Sequence, residues 1–276
     1  MPIKSKPDNR VTQKMARQGR PLFTALLLGA GALVLMRLWW PVHLPGKSGW
    51  PEAVLLWLAI IGTVAALARH LPLQNILFAA FVIALAAGAA TWLDLITGIP
   101  FGQFTTGGNT GPKLFAAVPW AMPVVWILAL LNSRGVARLI LRPWRKLHAY
   151  GFWLIGFTAA LTVLFDLAFD PFASQVKHYW FWEPTKFPVS WQGAPLVNFL
   201  GWLVVTLLIL AFVTPILINK NPIHRQPPDF HPLGIWLGGV VLFGIGSATA
   251  GLWSAVWLDG IVAAVVAFFA VRGARW

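Results

Sequence analysis

FDLAFDPFASQVKHYWFWEPTKFPVSWQGAPLVNFLGW, residues 165–202, holds Asp166, Asp170 and Glu183, three of the eight acidic residues in a chain of 276. It also holds Trp180, Trp182, Trp191 and Trp202. The uncharged apolar runs that lead into Asp166 and out of Pro195 are each long enough to cross a hydrocarbon core of ~30 Å. The stretch therefore reads as two membrane helices joined by a connection rich in carboxylates and indoles. A membrane protein that gathers its acids and aromatics in one such place is expected to work there.

The rest of the chain repeats the pattern. It is 58% hydrophobic and 11% charged, with a mean hydropathy of +0.71. A soluble domain of this length would need more charge on its surface. The expected fold is all-α, a polytopic transmembrane helical bundle forming one domain over residues 21–276. Residues 1–20 carry Lys4, Lys6, Arg10, Lys14, Arg17 and Arg20 and are expected to be a disordered, solvated cytoplasmic arm. No small-x-small cleavage site follows, so the next apolar run reads as a first membrane helix rather than a removed leader. The net charge of +13 fits membrane topology better than nucleic-acid binding, because the basic residues cluster between spans and no nucleic-acid motif accompanies them. With no cysteine, disulfides, thiolate chemistry and Cys-bound metals are excluded.

Periodicity and proline punctuation give eight spans, roughly 21–40, 52–69, 72–93, 114–132, 150–169, 195–218, 232–249 and 251–271. The last two are joined by a tight turn near Gly251, or form one broken element. Both termini are expected to be cytoplasmic, which leaves only Arg37, Lys47, Lys113, Lys177 and Lys186 outside. The acids divide the other way. Glu52, Asp94, Asp166, Asp170 and Glu183 fall at the outer ends of spans or in outer loops, and Asp259 lies in the last span nearer its outer end. Topology does not demand this division, so a shared polar cavity is expected. On the inner side, Arg134, Arg138, Arg142 and Arg145 predict an amphipathic interfacial helix over 133–149, cut by Pro143 and anchored to anionic lipid.

Asp166 and Asp170 are four apart and share a helix face. Mutual repulsion, a helix C-terminus before Pro171 and apolar surroundings all favour a carboxyl that keeps its proton at neutral pH, as a general acid must. The plainer reading is a pair of solvated caps. Asp94 ends the third span and leads into a turn shaped by Gly98, Pro100 and Gly102; it is either functional or a polar residue at the interface. Glu183 is a candidate base or a partner of Lys186. Asp259, the most deeply placed acid, could pair with Arg37 or line the cavity. The tryptophans fit an aromatic belt or a surface for a carbocation or polyene. The six histidines lack metal-binding spacing, and no phosphate loop or Gly-x-Ser-x-Gly elbow is present.

Two motifs in order resemble the membrane carotenoid-biosynthesis hydratases, a family that includes the γ-carotene/lycopene hydratases and bisanhydrobacterioruberin hydratase. The first is TGIPFGQF (97–104) followed by GPKLF (111–115). The second comprises Asp166, Asp170-Pro171, Trp180 and Trp182, Gly193-x-Pro195 and Asn198-Phe199-x-Gly201-Trp202. WQGAP departs from the family's aromatic-aromatic-Gly-Val-Pro form. The resemblance covers about residues 75–215. It implies a cofactor-independent, metal-free hydro-lyase in the plasma membrane. Its substrate would be an acyclic carotenoid, lycopene or similar, taken from the bilayer and hydrated at its terminal double bond to a tertiary alcohol. Membrane lipids and other enzymes of the same pathway are the expected partners. Asp166 and Asp170 would be proton donor and partner, and Asp94 a water-orienting base. Asn198 would hold water or fix a carboxylate, Trp180, Trp182 and Trp202 would line the pocket, and Glu183 and Asp259 are additional candidates. A carotenoid cyclase or isomerase, or a carotenoid-binding protein, remains an alternative. A proton-coupled transporter is the further one, although it would need a polar path through the inner half, where span residues are almost purely apolar.

Overall fold

The computed structural model describes residues 25–37, 50–184, 189–218 and 228–276. The basic arm 1–20, Lys47 and the proposed Glu183 partner Lys186 lie outside the described residues. Within them run α1 (Ala25–Arg37), α2 (Trp50–Leu67), α3 (Leu73–Thr97), α4 (Ala121–Ile140), α5 (Tyr150–Pro171), α6 (Leu196–Val213), α7 (His231–Thr249) and α8 (Trp253–Ala274). Helices α3 to α8 are long and apolar enough to cross a membrane; among the described residues, the apolar helical segments Ala25–Arg37 and Pro51–Leu67 are shorter than that. The chain is an all-α polytopic membrane bundle, as its hydropathy predicts. α7 and α8 are two helices turning at Gly251 (φ +73°) and packed on each other, not one broken element.

Three boundaries differ from expectation for physical reasons. The fourth span begins at Ala121 rather than near 114, because Lys113–Leu114 (β2) and Val118–Pro119 (β3) pair as a small hairpin. It then continues to Ile140, so much of the expected interfacial helix over 133–149 is instead the end of a packed membrane helix. Ser133, Arg134, Val136 and Ala137 are buried. Arg134 does not reach for lipid headgroups; its guanidinium donates to the Leu217 carbonyl, 3.2 Å away, one of the acceptors left beyond the end of α6.

The third difference lies at the stretch that sets the fold. α5 does not stop at Pro171; it passes through the proline and continues as one π-helical turn, Phe172–Val176. Proline has no N–H, so the carbonyl four residues back loses its helical donor. That carbonyl belongs to Leu167, and the Trp191 indole N–H donates to it at 3.2 Å. Trp191 thus satisfies the gap in α5 from the far side of the connection.

Segments that charge patterning places on one side meet there. Asn75 donates to the Ile216 carbonyl at 3.1 Å, and Asp229 faces Arg69, His70 and His231. Burial pushes the Asp229 carboxyl up, but the N–H groups and charge of His231 and the Arg69 guanidinium outweigh it and hold it below the usual carboxylate value. At the opposite end, Glu52 pairs with Arg37 at 3.1 Å and with Lys177. Arg37 is therefore the partner of Glu52, not of Asp259. At this end Phe104–Thr106 (β1) pairs antiparallel with Trp180–Trp182 (β4), and Ser190–Trp191 (β5) with Ala194–Pro195 (β6).

Gly201 on α6 is required by close approach: a Cβ there would lie 2.5 Å from the Pro100 carbonyl oxygen and 2.8 Å from the Phe101 ring. Gly201→Ala should therefore destabilise the bundle by about 1–3 kcal/mol. Gly260→Ala, where an added Cβ meets nothing within 4 Å, should be neutral or slightly stabilising. Thermal unfolding of both variants in detergent micelles checks this; equal midpoints would contradict the packing described.

Candidate active site

The i, i+4 spacing places Asp166 and Asp170 on one face of α5, and both are buried, at 1% and 0% exposure. Among the described residues neither has a salt-bridge partner. Their partners are neutral N–H donors delivered by two other elements. On β4, Trp180 and Trp182 are two apart, so strand geometry points both indoles to one side. The register Phe104↔Trp182 and Thr106↔Trp180 sets that side over α5. Trp180 donates to Asp170 Oδ1 at 2.9 Å, and Trp182 lies 3.1 Å from both Asp170 oxygens. The first turn of α6 supplies Asn198, whose amide donates to Asp166 Oδ2 at 2.8 Å and lies 3.3 Å from Asp170 Oδ2.

Asp170 is thus held by three side chains, whereas Asp166 meets one of them and opens onto a cavity of about 20 Å³. That is room for about one water. Asp166, Asn198 and Thr91 form its polar side. The remainder is mostly aromatic, and includes a Trp126–Trp202 stack with centroids 3.7 Å apart and planes within 6°. Phe101 tilts against both indoles, at 6.0 and 6.5 Å, and Phe104 meets Trp182 edge-on at 5.4 Å.

Asp94 does not line this cavity. It is buried near the end of α3, where Gly98 caps the helix in the left-handed conformation (φ 71°). Its Oδ1 accepts the amide N–H groups of Phe101 at 2.7 Å and Gly102 at 3.2 Å. Asp94 therefore fixes the turn that places Phe101 on the cavity wall, and its Oδ2 has no hydrogen-bond partner among the described residues. Glu183 follows β4, half-buried, with its backbone N–H donating to Gln103 O at 2.9 Å. Asp259 lies buried against Gly244 at the α7–α8 contact. Neither is on the cavity wall.

The structure therefore gathers Asp166, Asp170, Asn198, Trp180, Trp182 and Trp202, and leaves Glu183 and Asp259 elsewhere. Sequence reasoning misses Trp126, Met122 and Thr91, all on the wall. Thr91 lies one turn before Asp94 and could have been found by helical phase. Trp126 carries no local signal, because an indole inside an apolar span looks like any other. Among the described residues, no three His, Asp or Glu side chains converge as metal ligands.

Residues 52–267 match the family described as carotenoid biosynthesis proteins. Over 107 residues, 39% of this chain, the sequence is 34% identical to the bisanhydrobacterioruberin hydratase of Haloarcula japonica. That match spans about a third, 34%, of the relative's own length. No solved structure matches the chain.

The indole hydrogen bonds make a direct prediction. In nuclear magnetic resonance spectra of tryptophan-labelled protein in micelles, the Trp180 and Trp182 N–H signals should exchange slowly and should both move in Asp170→Ala. Glu183→Gln should leave them in place. Signals indifferent to Asp170 would contradict the geometry.

Proposed function

The chain belongs to the carotenoid biosynthesis protein family, and from that premise we propose that it is a carotenoid hydratase, a cofactor-independent hydro-lyase of the plasma membrane. It adds water to the terminal double bond of an acyclic carotenoid and yields a tertiary alcohol. The observation that carries this reading is a buried carboxyl pair, with no cation partner among the described residues, of which one member opens onto a water-sized, indole-walled cavity. The name and 34% identity of the Haloarcula relative support it.

An unactivated alkene must be protonated before water can add. Two buried carboxyl groups without a cation avoid the cost of two adjacent charges by retaining a proton. In this scheme Asp170, ringed by the N–H groups of Trp180, Trp182 and Asn198, is the carboxylate, and Asp166 carries the proton. Asp166 gives it to the terminal CH carbon, and the π electrons form the new C–H bond. The tertiary cation left next to it faces the Asp166 and Asp170 carboxylates and the indole rings, which attract positive charge. Water held by Asn198 and Thr91 bonds through oxygen to that carbon. Its surplus proton returns to Asp166, so the acid is regenerated and the sum is alkene plus water. Asp94 acts here as a positioning residue, through the Phe101 turn.

Expression in a lycopene-accumulating host, with product analysis by mass, tests the proposal. A gain of one water per reacting end is expected; a converted product of unchanged mass would favour cyclisation or isomerisation and overturn it. Asp166→Asn should lower turnover by about 100-fold or more, the usual scale for losing a general acid. Asp94→Asn keeps an oxygen for the two amides and should stay within about tenfold, with the change largely in KM. Equal losses in kcat would instead make Asp94 the base that handles water.

A further inference from the structure

Beside the carboxylate pocket lies a much larger cavity of about 820 Å³ that the hydration scheme does not use. That is toward the upper end of small-molecule sites, ~300–1,000 Å³. It is bounded by α1, α2, α4 and α7 and by the phenylalanine side of α5. On α4 its lining runs from Ala121 to Asn132, and on α7 from Gly234 to Ile245. Each is eleven residue steps, about 16 Å of helix, so the space is elongated along the bundle axis. Its walls are almost wholly apolar. Among the described residues the charged one on the wall is Glu52, which is already paired with Arg37 and Lys177.

Two features decide what fits. Gly31 on α1 and Gly234 and Gly238 on α7 line the space, and a Cβ added at any of them meets nothing within 4 Å. A flat chain can therefore lie close to the backbone there. The rings of Phe165, Phe169 and Phe172 line the same space and cluster with Phe243 of α7 at 5.2–5.4 Å. Trp180 and Met122 line both this cavity and the small one beside Asp166. These two side chains are where the cavities adjoin, and Met122 is the flexible one of the pair.

We infer that this cavity is the binding gallery for the polyene chain of the substrate, holding a rigid conjugated rod lengthwise along the glycines of α1 and α7 and the phenylalanines of α5, with its reacting end turned past Met122 and Trp180 toward Asp166. The inference rests on the carotenoid reading above. It makes Gly31 and Gly238 determinants of binding although neither touches the carboxylates.

The test separates binding from turnover. Each glycine substitution is made both in the wild type and in Asp166→Asn, and the full-length protein is purified from a lycopene-accumulating host. Carotenoid bound per protein is read by absorbance, and product by mass. Asp166→Asn alone should retain bound carotenoid. Adding Gly238→Leu or Gly31→Leu should lower the bound amount by about tenfold and should raise KM more than it lowers kcat in the wild-type background. Gly260→Leu, also in open space but off the gallery, should change neither. Thermal unfolding confirms that all three variants fold. Undiminished carotenoid in Gly238→Leu and Gly31→Leu, or phospholipid in its place in Asp166→Asn, would overturn the gallery. The hydratase reading would still stand or fall on product mass alone.

Discussion

Everything at this end of the bundle depends on burying two carboxyl groups, Asp166 and Asp170, next to each other with no cation partner among the described residues. Charge taken out of water is costly unless it is paired or hydrogen-bonded. Here the partners are neutral N–H groups: two indoles and one amide. Such donors leave net negative character in the site instead of cancelling it. A salt bridge would have stabilised the pair but would have placed a positive charge where the proposed reaction develops one, whereas neutral donors and aromatic faces do not.

The surrounding structure follows from holding those three donors in place. The two-residue spacing of Trp180 and Trp182 works only because β4 is extended, and β4 is extended because β1 pairs with it. β1 is positioned by the turn that Asp94 clamps and that Gly201 allows to sit against α6. α6 in turn presents Asn198. Pro171 gives α5 its π turn, and Trp191 supplies the hydrogen bond that the proline removes. The TGIPFG turn, the aromatic connection and the start of α6 are thus one support built from separate parts of the chain.

Much of this was legible in the sequence, and for identifiable reasons. Hydropathy exposed the spans because lipid tolerates little else. The i, i+4 spacing brought out the aspartate pair because the helical period converts spacing into direction, while Trp180, Trp182 and Asn198 stood out through the family resemblance. Other features were not legible. Arg134 looked like a lipid anchor, since its acceptor, the Leu217 carbonyl, lies on a distant part of the chain. Pro171 looked like a stop, since the indole that compensates for it is twenty positions downstream. Trp126 was hidden because its stacking partner, Trp202, belongs to another helix. Asp259 looked like a site residue on burial alone, and its surroundings at Gly244 lie away from the cavity wall. Long-range contacts, rather than local pattern, decided each of these.

The central claim is that a carboxylic acid delivers a proton to carbon and that water supplies the oxygen. Turnover by the purified protein in deuterium oxide, and separately in heavy-oxygen water, tests it most directly. The account predicts one carbon-bound deuterium beside each new carbinol in the first solvent and the heavy isotope in its hydroxyl in the second. A hydroxylated product with no carbon-bound deuterium, or with oxygen from any source other than water, would contradict it.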